Sequence, residues 1–498
     1  MKNKLLVIGM LFSLTTLVSC KKFLDKEPLS AGTDGNFWKN EDEANGAVAG
    51  GYALLRQSLT DAFAFYSYGD IPTDEFTTSI GYEDLTQVTN FQWNLSVSSS
   101  NVWRPMLKLR RYDNFYRVID QASRCIKFIP TVPASGFASP ATAETNRNSF
   151  IGEAYFLRAF TYFYMARVWG GVPIIEQTAD KIGDEVNLAR STEEEVLAKA
   201  KADVMEAISK LSFGYTNSSN RAVRANKGAA YALLAHIEAW SGNYEEAAAA
   251  ASQVIENGGY QFVPMQNYLS IFKGQSAESI FEISANATNE GSGFSIANLT
   301  LKAPYLATNP GTGVPAPLNI NSFKTKFPDS SDLRIKYGFT GYNSTDPNVI
   351  KYSNIIYLTT DADGNKGNPL SQNNIVIFRL SDIVLLKAEA LAATGKYGEA
   401  RILLDQIRTK AQPGNTYTGG DADLFDAVIE ERSRELFLEG HRFYDLVRLG
   451  RARGVYDFGD DRMDEAAFKA GKFFWPIDPS LMTLNNKLIQ TPYWRDKM

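Results

Sequence analysis

The feature that most constrains this fold is a short motif, Gly-x-Tyr-x-x-Ala, that occurs twice between stretches of helical periodicity. It reads Gly242-Asn243-Tyr244-Glu245-Glu246-Ala247 and later Gly395-Lys396-Tyr397-Gly398-Glu399-Ala400. Glycine permits a tight turn between two helices, the tyrosine packs into the hairpin, and the small alanine lets the second helix approach the first. The repeated motif therefore predicts a mainly α fold built from helical hairpins.

These hairpins resemble tetratricopeptide repeats, whose period is about 34 residues. Four hairpins are predicted, over residues 150–211, 225–257, 381–411 and 424–450. The aromatic stretch 150–169 is apolar on nearly every face, which indicates deep burial. Thr192 with Glu195 forms a capping box that opens the next helix. A further long helix is predicted over residues 103–129.

Two irregular regions interrupt the helical pattern. The larger one, residues 258–374, is rich in Gly, Pro, Asn and Thr and separates the two motif-bearing hairpins. Strands are predicted within or beside it at residues 279–283, 355–358 and 375–380. The smaller region spans residues 63–100. We expect one helical scaffold over residues 41–498 with a large, irregular, strand-containing insertion, and ligand binding in its long structured loops.

The first twenty residues have the pattern of a bacterial lipoprotein signal. Two lysines precede an apolar stretch, and Leu17-Val18-Ser19 leads into Cys20. This predicts a signal peptide over residues 1–19, acylation of Cys20 by chains such as palmitate, and a tether over residues 20–40. Cys125 is then left without a disulfide partner. No other apolar run is long enough for a transmembrane helix, so membrane attachment is expected through the lipid alone.

Composition excludes several classes of function. The formal net charge is −5, which argues against nucleic acid as a partner. The chain has only two histidines, His236 and His441, so no HExxH zinc motif is present. His236 is expected to be a paired core histidine. No Walker A, GxSxG or GxGxxG pattern occurs. We therefore expect no enzyme, no cofactor and no metal site.

Five segments, in order, resemble the SusD/RagB lipoproteins of Bacteroidetes. They are CKKFLDKEP at 20–28, EAYFLRA at 153–159 with WGGVP at 169–173, FRLSDIVLLKAEA at 378–390, EERSREL at 430–436 with EGHRFYDL at 439–446, and FWPI at 474–477. The charged residues in these segments are expected to pair between helices as scaffold, not to perform chemistry: Arg158, Arg379, Asp382, Arg432, Arg434, Glu435 and Glu439.

The resemblance implies a nutrient-binding protein on the outer face of the outer membrane. Members of the family act as a lid on a SusC-like, TonB-dependent β-barrel transporter. They capture an oligosaccharide, or in some members a peptide, and pass it on without cleaving it. The resemblance also implies that the tetratricopeptide face packs against the barrel while the irregular face carries the ligand.

Sugar sites combine exposed aromatic rings with polar neighbours that pair with hydroxyl groups. Aromatic residues make up 12% of the chain, and those in the irregular regions are the candidates. The predicted ligand-binding residues are Trp93, Tyr342, Tyr66, Tyr68, Tyr305, Asp70 and Asn94. Trp93 is the first choice because Gln92 and Asn94 flank it with polar groups.

Three other functions remain open from the sequence. A glycosidase would need two carboxylates about 5–9.5 Å apart, and sequence cannot pair them. An outer-membrane scaffold or assembly lipoprotein could use the same helical hairpins, although it would not need the aromatic insertion. Peptide capture along a backbone edge is the alternative to glycan capture, and the aromatic loop content favours glycan.

Overall fold

The computed structural model describes residues 37–78, 83–95, 105–175, 178, 187–215, 217–285, 290, 295–306, 313–362, 364 and 366–498. Cys20 and the predicted signal segment lie outside these residues. The helices are α1 (Glu41–Thr60), α2 (Ala64–Gly69), α3 (Glu83–Thr89), α4 (Pro105–Leu109), α5 (Asp113–Phe128), α6 (Ala143–Trp169), α7 (Glu193–Lys210), α8 (Lys227–Trp240), α9 (Tyr244–Asn257), α10 (Ser270–Lys273), α11 (Ala297–Thr300), α12 (Ile320–Lys326), α13 (Leu333–Gly338), α14 (Leu380–Ala393), α15 (Tyr397–Ala411), α16 (Leu424–Glu435), α17 (Arg442–Arg453), α18 (Glu465–Lys469) and α19 (Pro479–Leu484). The strands are β1 (Ser279–Ile283), β2 (Phe339–Thr340), β3 (Asn348–Val349), β4 (Ile355–Thr360), β5 (Lys366–Ser371) and β6 (Ile375–Arg379).

Both Gly-x-Tyr-x-x-Ala motifs form the predicted helical hairpins, α8–α9 and α14–α15. Gly242 has φ 79° and Gly395 has φ 77°, and nothing lies within 4 Å of a Cβ built at either position. The glycines are therefore required by backbone conformation and not by crowding. Helix α9 packs directly on α14, so the two hairpins are neighbours in space although a long insertion separates them in sequence.

The N-terminal half of the scaffold packs around α6. This helix contacts α1, α5 and α7, and most of its side chains are buried. It begins at Ala143, earlier than the aromatic pattern predicted, whereas the capping box of Thr192 and Glu195 at the start of α7 is confirmed. The mainly α, tetratricopeptide-like class is confirmed.

The single helix predicted over residues 103–129 is wrong. The structure has α4 and α5 with a break between them. At the break, the Leu109 carbonyl accepts a hydrogen bond from the Tyr68 hydroxyl (2.7 Å), and the Arg110 carbonyl accepts one from the Asp478 backbone N–H (3.0 Å). Residues distant in sequence thus donate hydrogen bonds to the carbonyl groups that would accept intrahelical hydrogen bonds in a continuous helix.

The insertion begins and ends on one antiparallel ribbon. Strand β1 pairs with β6, with Ser279 opposite Arg379 and Ile283 opposite Ile375, and β6 runs directly into α14. The other strands form the pairs β2–β3 and β4–β5. The insertion therefore leaves and rejoins the scaffold at one place, which is why α9 and α14 can pack as neighbours.

The two irregular regions meet through backbone hydrogen bonds. Phe76 pairs with Leu318 in an isolated antiparallel bridge, and the Asn319 backbone N–H donates to the Glu75 carbonyl at 2.8 Å. Residues from the smaller region and from the insertion thus share backbone hydrogen bonds.

Arg379, one of the buried charges of the scaffold, is paired as expected. Arg379 is 1% exposed and its guanidinium lies 2.6 Å from Glu278, 2.9 Å from Glu435 and 2.7 Å from Glu439. Removing a charge from water is expensive unless it is paired and hydrogen-bonded. One arginine with three carboxylates therefore joins the residue before β1, strand β6, helix α16 and the segment that follows α16.

A second buried network surrounds Arg432. Its guanidinium contacts Asp382 at 2.9 Å and Asp445 at 3.0 Å. His236 Nε2 lies 2.8 Å from the same Asp382 carboxylate, and burial lowers the pKa of His236. His236 is a paired core residue, as predicted. These contacts tie α8, α14, α16 and α17 together.

The end of the predicted tether belongs to the packed body. Trp38 stacks on Phe128 with ring centroids 5.5 Å apart, and Asn40 caps α1 in a capping box with Glu43. These contacts hold residues 37–40 in place, so the packed chain starts before residue 41. Within the described ranges, no helix has the length and apolar character needed to cross a membrane.

Candidate functional site

One candidate ring lies in the loop between β2 and β3. Tyr342 follows Gly341, whose φ of 68° turns the chain, and Ser344 N donates to the Gly341 carbonyl at 2.8 Å. The Tyr342 hydroxyl donates to the Phe327 carbonyl at 2.7 Å, and the residue stays half-buried. The loop therefore fixes the rim of the ring while leaving part of its face accessible.

A second and a third ring lie close to each other. Tyr305 is half-buried at the end of the segment that follows α11. The Tyr357 hydroxyl, on β4, donates to the Tyr305 carbonyl at 3.4 Å. On the other side of the same strand, Ile356 and Leu358 are 37% and 54% exposed. The β4–β5 hairpin therefore stands beside Tyr305 and keeps apolar side chains in solvent.

The segments of Tyr305 and Tyr342 are joined by Lys302. Its backbone N–H donates to Asn348 Oδ1 at 3.3 Å, and its ammonium group pairs with Asp346. Tyr305, Tyr342 and Tyr357 thus lie on three adjoining segments, and we call these segments the tyrosine face. These segments offer apolar ring area beside polar groups, the combination that sugars and peptides require.

Lysines accompany the rings. Lys324 Nζ lies 3.5 Å from the Tyr342 ring centroid and donates to the Tyr342 carbonyl, and Lys366 Nζ lies 5.3 Å from the Tyr357 centroid. A cation over an exposed ring contributes about 0.5–1 kcal/mol. Asn343, beside Tyr342, is exposed. The face therefore carries donors for hydroxyl or carbonyl oxygens at its edges.

An acidic residue of the smaller irregular region connects a helix beside the tyrosine face to the scaffold. Asp74 pairs with Lys326 at 2.5 Å and with Arg442 at 2.8 Å. Burial alone would raise the pKa of Asp74, but Arg442 and Lys326 lower it overall. Burial raises the pKa of the adjacent Glu75 to about 7, although Lys326 opposes the shift. Asp74 ties α12, which carries Lys324, to the scaffold helix α17.

The structure corrects the expectation that Trp93 is an open platform. Trp93 is fully buried. Its ring stacks on Trp475 at 4.1 Å between centroids and on Phe91 at 4.7 Å, and its Nε1 donates to the Val88 carbonyl at 3.0 Å. Phe91 has φ 56°, and the turn there directs Trp93 into the core, so stacked aromatic rings occupy its faces.

Tyr66 and Tyr68 are also core residues and not exposed rings. Both lie on α2 and are at most 3% exposed. Tyr66 packs edge-on against Tyr352 with centroids 5.9 Å apart, and the Tyr68 hydroxyl donates to the Leu109 carbonyl. The sequence predicts an irregular region here, whereas the structure has a short helix that packs into the scaffold. Packing of this helix explains why both rings are buried.

Asp70 is buried as well. Its side chain is fully enclosed and accepts a hydrogen bond from the Gly440 backbone N–H at 2.7 Å. Burial raises the pKa of Asp70 well above its usual range, and the neighbouring Glu75 raises it further. Asp70 therefore fixes the Gly440 turn, and its carboxyl group is not open to a ligand.

Asn94 is half-buried but lies against the C-terminus. Its Nδ2 donates to the Lys497 carbonyl at 3.1 Å. Among the hydrogen bonds of the described residues, none joins Asn94 to the tyrosine face. Of the seven predicted residues, the structure places Tyr305 and Tyr342 on adjoining segments and leaves Trp93, Tyr66, Tyr68 and Asp70 in the core.

Sequence reasoning missed Tyr357. The strand that carries it was predicted, and the local signal was present: Tyr357 stands between Ile356 and Leu358 in an irregular, polar region. Alternation in a strand sends Tyr357 to the side opposite these two residues. The contact between Tyr357 and Tyr305 could not be predicted from the sequence, because it depends on how the insertion folds back on itself.

Comparison with known proteins identifies the family. The sequence model described as SusD family matches residues 336–494, and the one described as starch-binding associating with outer membrane matches residues 22–238. The SusD-like protein P38 of Formosa agariphila is 28% identical in an alignment of 511 positions, gaps included, that covers 91% of this chain and 92% of that protein.

Solved structures agree with the sequence matches. A SusD homolog from Bacteroides thetaiotaomicron superposes with a TM-score of 0.80 at 25% identity, covering 92% of this chain and 100% of the homolog. A SusD superfamily protein from the same organism gives a TM-score of 0.76 at 27% identity, covering 92% and 99% of the two chains. The chain belongs to the SusD/RagB family of outer-membrane-associated proteins.

Proposed function

We propose that this protein captures an oligosaccharide at the cell surface on its tyrosine face and passes it, uncleaved, to a SusC-like TonB-dependent transporter. The observation that carries the proposal is the placement of Tyr305, Tyr342 and Tyr357 on three adjoining segments of a SusD-family scaffold. One matching sequence model is described as starch-binding, which supports a glycan ligand.

The chemistry of the face suits a sugar. Sugar rings present apolar C–H faces that stack on tyrosine, and hydroxyl edges that accept hydrogen bonds from lysine and amide groups. Lys324, Lys366 and Asn343 supply such groups beside the rings. Lys324 lies over the Tyr342 ring and Lys366 over the Tyr357 ring, whereas glycoside hydrolysis uses two carboxylates about 5–9.5 Å apart. Binding without cleavage is the function that this arrangement favours.

The test is calorimetric titration of the protein, with Cys20→Ala to remove the acylation site, against plant, host and microbial glycans and a peptide mixture. We expect a glycan to bind and Tyr342→Ala to weaken it about tenfold, because an aromatic contact contributes about 0.5–1.5 kcal/mol beyond the area it buries. Tyr417→Ala is the matched control, since Tyr417 is a half-buried ring in the loop after α15, away from the tyrosine face.

Each outcome has a defined meaning. Equal loss in Tyr342→Ala and Tyr417→Ala would contradict a site on the tyrosine face. Binding of peptides alone would replace the glycan by a peptide. Release of shorter sugars during the titration, seen by chromatography, would contradict the proposal that the ligand is passed on uncleaved.

Delivery requires a docking surface for the transporter, and we assign it to the helical hairpins. Met205 on α7 and Ile402 on α15 are 49% and 70% exposed, and apolar side chains of this size in solvent suit a protein interface. Ile402→Glu should reduce co-purification of the transporter from outer membranes. Leu358→Glu, at an exposed apolar residue of the insertion, is the control and should leave co-purification unchanged.

Surface attachment is assigned to the N-terminus. We propose cleavage after Ser19, acylation of Cys20 and a short tether that leads into the packed residues beginning near Phe37. Labelled palmitate should be incorporated into the wild-type protein and not into Cys20→Ala. Label retained in Cys20→Ala would contradict this assignment and leave the binding function to be judged separately.

A further inference from the structure

A cavity of about 690 Å³ has no residue of the tyrosine-face segments in its lining. It opens between the residues before α8, the segment that follows α9 and the loop that leads into β1. Its walls include Tyr215, Arg221, Asn226, Tyr260, Gln261 and Ser276. We propose that this cavity is a second saccharide site and that it takes a sugar bearing a carboxylate.

The aromatic wall of the cavity is held rigidly. A Cβ built at Gly228 would lie 2.3 Å from the Tyr260 hydroxyl, and one built at Gly258 would lie 2.3 Å from Tyr260 Cε2. The Tyr260 hydroxyl donates to Asn226 Oδ1 at 3.1 Å, and the Tyr215 hydroxyl donates to the Ile280 carbonyl at 3.4 Å. Rings fixed before the ligand arrives avoid the entropic cost of ordering them.

The charge of the lining favours an anion. Arg221 is exposed at the cavity, and no aspartate or glutamate is among the lining residues. Among the described residues, no carboxylate lies within 4.0 Å of the Arg221 guanidinium. Helix α8 begins at the cavity wall. The N-terminus of a helix carries a positive potential because its first backbone N–H groups are unpaired.

The cap of α8 adds an unused donor. Asn226 Oδ1 accepts from the Ala229 backbone N–H at 2.9 Å as well as from Tyr260. Asn226 is 3% exposed, and its Nδ2 has no hydrogen-bond partner in the part of the chain that the structure describes. A buried donor left unpaired costs about 1–3 kcal/mol. Because this amide is enclosed, the direct role of Asn226 is to hold Tyr260 and the first turn of α8 in place.

The combination of groups indicates a sugar acid and not a simple anion. Two tyrosine rings offer faces to C–H groups, Gln261 and Ser276 offer partners to hydroxyl groups, and the planar guanidinium of Arg221 suits a carboxylate. The volume lies within the range of about 300–1,000 Å³ that small-molecule sites occupy. A neutral sugar would leave Arg221 without a partner.

The test is calorimetric titration with trimers of galacturonate, mannuronate and guluronate, each beside its neutral methyl ester. We expect at least one acid trimer to bind, and Arg221→Gln to weaken it about tenfold, the loss expected for one charge-assisted hydrogen bond. Ala277→Trp, at an exposed position of the cavity wall, should block the entrance and abolish binding. Tyr342→Ala should leave it unchanged, which separates this site from the tyrosine face.

Several results would overturn the proposal. These are failure of all three acids to bind, equal binding of an acid and its ester, and binding that survives both Arg221→Gln and Ala277→Trp. Loss of binding only in Tyr342→Ala would assign the acid to the tyrosine face. Competition by tri-alanine as strong as that of the uronate would replace the sugar by a peptide carboxylate. Circular dichroism of each variant confirms that it is folded.

Discussion

The helical scaffold and the tyrosine face hold their charged groups in opposite ways. In the scaffold, Arg379 and Arg432 are at most 1% exposed, and each contacts two or more carboxylates. On the face, Lys324 and Lys366 lie over tyrosine rings, and Asp346, the partner of Lys302, keeps 59% of its side chain in solvent.

The difference follows from what each region has to do. A buried charge needs its partners in one geometry, so the scaffold networks fix how helices distant in sequence meet. Charges near solvent interact weakly because water screens them. A ligand can therefore replace water around Lys324 and Lys366 at small cost. Mutations in the scaffold should act on folding, and mutations on the face should act on binding.

The largest effect is expected from Arg379→Met. This change leaves Glu278, Glu435 and Glu439 buried without their shared cation. Loss of one partner from a buried pair costs about 3–5 kcal/mol, and we expect a decrease of that size in the free energy of unfolding measured by urea denaturation.

The matched control is Arg401→Met. Arg401 pairs with Asp421 at 2.6 Å, but their side chains are 29% and 57% exposed. Exposed pairs contribute about 0–1 kcal/mol, so this variant should unfold almost as the wild type does. If both variants lost equal stability, the distinction between buried and exposed charges would fail.

Trp93→Ala should destabilise nearly as strongly. Removing a fully buried tryptophan that stacks between Trp475 and Phe91 leaves a cavity, and such truncations cost about 3–5 kcal/mol. Because the ring is closed off from solvent, the glycan affinity of the folded fraction should stay within about twofold of wild type. If Trp93→Ala were as stable as the wild type but no longer bound glycan, Trp93 would be a ligand-binding residue and not a core residue.

The contrast between Trp93 and the helical hairpins explains how far the sequence could predict this molecule. A helical hairpin is set by local requirements, namely the positive φ of Gly242 and Gly395 and helical spacing nearby. The burial of Trp93 is set by Trp475, at the other end of the chain. Polar neighbours such as Gln92 indicate that the backbone runs near solvent there, but they do not predict whether the Trp93 ring points outward or into the core.

The candidate site could be predicted only in part for the same reason. Tyr305 and Tyr342 were found because glycines, prolines and amides surround them in the insertion. Their proximity depends on the pairing of Lys302 with Asp346, and no periodicity reveals that pairing. Tyr357 was missed although its strand was predicted, because its role depends on a hydrogen bond to another segment.

Glu75 joins the two regions and should make stability depend on pH. Ser433 of α16 donates to its carboxylate at 3.4 Å, and Asn319 of the insertion donates to its carbonyl at 2.8 Å. Burial raises its pKa from 4.5 to about 7 in the folded protein. The folded state then binds more protons than the unfolded state in this window, so stability falls as pH rises through it.

Glu75→Gln should remove this part of the pH dependence. We expect the variant to lose less stability than the wild type between pH 4.5 and about 7, by on the order of 1–3 kcal/mol. Denaturation at several pH values measures the slope. Glu399→Gln, at an exposed carboxylate, is the control. An unchanged slope in Glu75→Gln would mean that Glu75 is charged throughout the window.

The smallest effect, expected from Tyr342→Phe, separates the two roles of one side chain. The substitution removes the hydrogen bond to the Phe327 carbonyl and keeps the ring. The free energy of unfolding should fall by about 0.5–1.5 kcal/mol, the net value of one hydrogen bond, while glycan affinity stays within about twofold because the stacking surface persists. If Tyr342→Phe instead weakens the glycan as much as Tyr342→Ala does, the hydroxyl itself contacts the sugar. Tyr342 would then have to release Phe327 on binding, and the tyrosine face would rearrange instead of presenting rings fixed in advance.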